Sequence, residues 1–93
     1  MATYIMFGKY SINSVKEISI ERFKKATALI ERCGGQPKAG YALLGDPDLV
    51  LIADFPGTKE AMKASVELTR QTDISFTTAP AMTIEEFDKL VGK

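Results

Sequence analysis

The sequence contains no histidine and a single cysteine, Cys33. Without imidazole the chain lacks the commonest general base at neutral pH and the commonest metal ligand, and every Ser-His-Asp or Cys-His arrangement is excluded. One cysteine cannot form an intrachain disulfide, a redox pair or a zinc ribbon. An excess of either charge is also missing. Twelve basic side chains offset twelve acidic ones, and neither sign gathers into a long run, so the electrostatic footprint required by nucleic acid or an anionic lipid surface is absent. The start of the chain has no basic region and only a four-residue apolar run, Tyr4 to Phe7, too short for a signal peptide or a membrane span. These absences lead us to expect a cytoplasmic protein with no cofactor and no metal, binding neither nucleic acid nor membrane.

What is present matches an ordinary globular composition, 45% hydrophobic and 26% charged. A chain of 93 residues can bury one core but not two, which predicts a single domain over residues 1–93. From Thr3 to Tyr10, Ile5 and Phe7 alternate with Tyr4, Met6 and Tyr10, the period of a strand with apolar residues on both faces. A polar stretch, Ser11 to Ser14, precedes a helical pattern. Ser19 suits an N-cap, Phe23, Ala26, Ile30 and Cys33 follow at three- and four-residue steps, and Gly34-Gly35 and Pro37 end the run. Some helix is also expected near Val15.

Two strand-like runs, Lys38 to Leu44 and Leu49 to Phe55, flank the turn Gly45-Asp46-Pro47-Asp48 and read as a hairpin with a longer loop. The second run is the most apolar of the chain, with Leu49, Leu51, Ala53 and Phe55 on one face and Val50 and Ile52 on the other. Such a strand is covered on both sides. Thr58 then suits the N-cap of a helix of small residues reaching about Gln71, and Ile74 to Ala79 forms a fourth strand, with Pro80 fitting a strand end or an edge. Thr83 to Glu86 fits a capping box, and Ile84, Phe87, Leu90 and Val91 form the face by which a short last helix docks.

Strand, helix, strand, strand, helix, strand, helix is the order of an α+β ferredoxin-like sandwich, a split β-α-β pair with a C-terminal helix. Both main helices then cover one face of the sheet. If Ile5, Phe7, Leu51 and Phe55 point to those helices, Tyr4, Met6, Val50 and Ile52 fall on the bare face. An apolar patch of that kind marks an interface.

The segment Leu44 to Phe55 (LGDPDLVLIADF), the Gly34-Gly35 turn, the Tyr4 to Tyr10 strand and the terminal Thr83-x-Glu85-Glu86-Phe87 together resemble the GYD domain family over nearly the whole chain. Gly45 and Asp48 match the name-giving motif, while Pro47, after Asp46, replaces the aromatic between them. The resemblance implies a dimeric α+β barrel, in which the bare sheets of two ferredoxin-like subunits face each other, and brings no established biochemical activity with it. The expected partner is a second copy of the chain, in a homodimer or higher homo-oligomer, with a small molecule as a possible ligand.

Asp54 shares a strand face with Val50 and Ile52. It is either a covered carboxylate in need of a partner, and a candidate base, or a solvated strand-end group that caps the next helix. Tyr4, Tyr10 and Tyr41 could bring hydroxyls to a cavity or serve as half-buried packing groups. Lys9 could meet a substrate anion or Asp54, or sit solvated at its strand end. Asp46 and Asp48 bracket a proline, where a structural role in the turn is favoured, and the loop lacks the further oxygen ligands of a calcium site. Cys33 falls on the core face of its helix and reads as an inert thiol. Two functional classes stay open. One is a binding or assembly module built on paired sheets. The other is a small cofactor-free enzyme, an isomerase or monooxygenase by analogy with other dimeric α+β barrels, with Asp54 as base and a tyrosine orienting the substrate.

Overall fold

The computed structural model describes residues 1–93. The elements run β1 (Ala2–Tyr10), α1 (Ile12–Lys16), α2 (Ile20–Arg32), β2 (Gln36–Ala42), β3 (Leu49–Phe55), α3 (Thr58–Thr72), β4 (Ile74–Ala81) and α4 (Ile84–Val91). The strands form one antiparallel sheet in the order β2-β3-β1-β4, with β1 paired to both β3 and β4. This is the expected α+β, ferredoxin-like arrangement. The sheet is open, and β2 and β4 are its edges. No helix is long and apolar enough to cross a membrane.

Local chemistry explains most of the boundaries. Ser19 caps α2 by accepting from the Arg22 amide at 3.1 Å, and Gly34, with φ of 86°, takes the left-handed turn that closes it. Helix α1 is capped by Ser11, whose hydroxyl accepts from the Ser14 amide while the Ser14 hydroxyl accepts from the Ser11 amide. The helix expected near Val15 is thus present as a separate short element, and it takes in most of the polar stretch. Helix α3 is capped by Gly57 without a side-chain bond, so Thr58 is its first helical residue and not its cap. Pro80 lies in edge strand β4, where a missing amide donor costs no ladder bond on the solvent side.

Helices α2 and α3 cover one face of the sheet. The core between them gathers Tyr4, Met6, Leu51, Ala53 and Phe55 from the strands with Ala26, Leu29, Ile30, Ala61, Ala64 and Leu68 from the helices. Tyr4 meets Phe55 edge to face at 5.7 Å between centroids.

This core corrects the expected orientation of β1. Register sets it: Tyr4 lies opposite Ala53 and Met6 opposite Leu51, while Ile5 lies opposite Ile52 and Phe7 opposite Val50. Residues directly opposite share a face. Since Leu51 and Phe55 point to the helices, Tyr4 and Met6 do too and are buried, and neither lies on the bare face. Ile5 and Phe7 take their places there. Gly8 fixes the same choice, because a Cβ on it would come within 2.8 Å of Leu49 and 3.0 Å of Phe76, both packed on the core. A second correction concerns α4: none of its residues is buried, and its apolar side chains dock on no part of this chain.

Candidate functional site on the open sheet face

The face left uncovered by the helices carries Thr3, Ile5, Phe7 and Lys9 from β1, Val50, Ile52 and Asp54 from β3, and Tyr41 from β2 opposite Val50. Ile5, Val50 and Ile52 are half-buried by their neighbours alone, and Phe7 is exposed. The centre of the face is thus a continuous apolar surface, rimmed at both ends by charge.

One charged end is built around Asp54. Its Oδ1 accepts from the Thr3 hydroxyl at 2.8 Å, and its Oδ2 lies 3.6 Å from the Lys38 ammonium. Both oxygens are engaged, which suits the short polar side chain of Thr3 directly opposite and a lysine set free by the bulge between Pro37 and Ala39. At the other end Lys9 meets Asp46 at 3.3 Å, an exposed pair. The two ends are six residues apart along β1, roughly 20 Å, so Lys9 and Asp54 do not meet.

The tyrosines separate. Tyr41 is on the open face and 61% exposed. Tyr4 and Tyr10 share the other face. The Tyr4 hydroxyl lies 3.3 Å from the Thr58 hydroxyl and lines a cleft of about 340 Å³ with Ala61, Met62, Ser65 and Thr78. The Arg22 guanidinium stacks over the Tyr10 ring at 5.4 Å and bonds the Ser14 carbonyl. The structure therefore brings Lys9, Tyr41, Val50, Ile52 and Asp54 to one surface and separates Tyr4, Tyr10 and Met6 from it. No tyrosine hydroxyl bonds Asp54.

The residues missed in the sequence are Ile5, Phe7, Thr3 and Lys38. A signal for the first two was available, since Lys9 shares their alternation and a lysine belongs on the side that water can reach. The turn aspartates are structural, as favoured: Asp46 meets Lys9, and Asp48 ties the hairpin to β1 through the Tyr10 amide at 2.8 Å. Cys33 is partly buried against the core. No group of three or more acidic or thiol side chains is placed to hold a metal ion.

The model of the GYD domain family matches residues 4–91, which takes in β2, β3 and β4, all of β1 but its first two residues, and the apolar centre of the open face. Among curated proteins and among solved structures, none matches the chain.

Proposed function

We propose, from the premise that this chain belongs to the GYD domain family, that it is a self-associating domain whose open sheet faces pair in a homodimer or larger homo-oligomer. The carrying observation is the apolar centre of that face, Ile5, Phe7, Val50 and Ile52, framed by the Asp54–Lys38 and Lys9–Asp46 pairs. Fully burying one such side chain stabilises by about 1.5–3 kcal/mol, and a second copy supplies a surface of the same character. Between two such faces the space is walled by apolar side chains with Thr77, opposite Phe7, and Tyr41, opposite Val50, as the nearest uncharged polar groups, which suits a small, mainly apolar molecule or simply a dry seam. A cytoplasmic setting belongs to the same reading.

An enzymatic role with Asp54 as base has less support. A base needs a free oxygen within reach of the proton it takes, and here one oxygen is held by Thr3 and the other faces Lys38. Light scattering of wild type and Ile52→Asp tests the assembly. A dimer or larger species in wild type that becomes a folded monomer in the variant is the expected result, and a monomeric wild type at all concentrations overturns the proposal.

A further inference from the structure

Helix α4 presents an apolar face that nothing in its own chain covers. It follows β4 after only Met82 and Thr83, and Ile84, Phe87, Leu90 and Val91 fall on one side of it at helical spacing. Their exposures run from 51% for Phe87 to 79% for Ile84. An eight-residue helix is well below the roughly 12–15 residues at which isolated helices become marginal in water. Its persistence therefore depends on packing. The two-residue link holds it close to the end of edge strand β4, and the molecule extends to 49 Å along its long axis against 18 Å along its shortest.

A groove of matching character lies at the opposite edge of the sheet. Between α2 and β2, depressions of about 210 and about 290 Å³ sit on either side of Phe23, with Leu51 as the floor of both and Pro37 and Ala42 at their outer walls. Gly40 lets the Phe23 ring lie against β2, since a Cβ there would come within 2.9 Å of it. Phe23 is nevertheless 52% exposed. Lys38 lines one rim, and Lys24 follows Phe23 on the outer turn of α2. The polar face of α4 is acidic, with Glu85, Glu86 and Asp88 against Lys89, and so is opposite in sign to those lysines, of which Lys24 is free of an ion pair and Lys38 shares its charge with Asp54.

We propose that α4 of one copy lies in the α2–β2 groove of a second copy, and reciprocally. The proposal rests on the self-association argued above and adds where the arm goes. A two-fold axis running along the strands, between paired sheets, sets each β4 edge over the partner's β2 edge, so both arms are used and the assembly closes. Area argues the same way. Four strands of about seven to nine residues present a face of roughly 20 by 25 Å, or about 500 Å², whereas a stable interface removes roughly 800 Å² from each partner. The arm and groove supply the difference.

Sedimentation across a concentration series on the full chain tests this. Phe87→Asp, on the arm, and Phe23→Asp, in the groove, are each expected to raise the dimer dissociation constant by roughly tenfold or more. The double variant is expected to be no worse than the poorer single one, because both remove the same contact. Where Phe23→Asp does not fold, Thr27→Asp, half-buried one turn further along α2 and lining the same groove, takes its place. An unchanged constant in Phe87→Asp, beside dissociation by Ile52→Asp, overturns the arm exchange and leaves sheet pairing standing. A wild type that is monomeric throughout overturns both. Amide exchange in α4 that is slow and independent of protein concentration also overturns the exchange, since the arm then packs on its own body.

Discussion

The carboxylate of Asp48 accepts a hydrogen bond from the Tyr10 amide at 2.8 Å, while the Asp48 amide donates to the Gly8 carbonyl at 2.9 Å. One residue thus extends the β1–β3 ladder past the end of β3 and fastens the hairpin loop to the central strand. The same loop is closed on its other side by the Leu43 amide donating to the Asp48 carbonyl at 2.8 Å. The place of Asp48 is that of a latch on the fold.

Removing that carboxylate leaves the partly buried Tyr10 amide without its acceptor. Asp48→Ala is expected to lower stability by about 1.5–3 kcal/mol, the range for a hydrogen bond to a charged group. Asp48→Asn keeps an acceptor oxygen and is expected to lose less. Urea unfolding of the three proteins measures both differences, and equal midpoints for wild type and the alanine variant would contradict the latch.

Alternation along β1 and β3 separates each strand into two sets of side chains without showing which sets share a face. On β3 the choice was legible, because Leu49, Leu51, Ala53 and Phe55 oppose a set that contains Asp54. On β1 both sets hold large apolar residues, and only register, Met6 opposite Leu51, decides between them. Lys9 and Gly8 carried the missing information: a charge marks the wet set, and a glycine marks the crowded one. The caps of α2 and α4 were legible because a hydroxyl three residues ahead of an amide is a local signal. What α4 packs against was not, since an amphipathic stripe states that a partner is needed and not which one.

Crowding around Gly8 gives a second test. A Cβ at this position meets Leu49 Cγ at 2.8 Å, Leu49 Cδ2 at 2.9 Å and Phe76 Cε1 at 3.0 Å, so the alanine must push side chains that already pack on the core. Overpacking of this kind costs about 1–3 kcal/mol. Gly8→Ala is expected to unfold at lower urea than wild type, and Gly8→Ala with Leu49→Ala is expected to lose less than the sum of the two single changes because the second makes room for the first. Strict additivity in that cycle would remove Leu49 as the source of the strain.

The opposite orientations of two adjacent residues allow the reversed face of β1 to be tested directly. Met6 is fully buried among Leu51 and the helices, whereas Ile5 stands half-buried on the open face opposite Ile52. An aspartate at position 6 places an unpaired charge in the core, a cost of several kcal/mol that a domain with a net stability of about 5–15 kcal/mol tolerates poorly. An aspartate at position 5 keeps its carboxylate in water as long as the sheet face stays open. Met6→Asp is therefore expected to be unfolded or severely destabilised by circular dichroism. Ile5→Asp is expected to keep the wild-type spectrum while losing the ability to self-associate in light scattering. The reverse pattern, a folded Met6→Asp beside an unfolded Ile5→Asp, would mean that the helices cover the other side of β1.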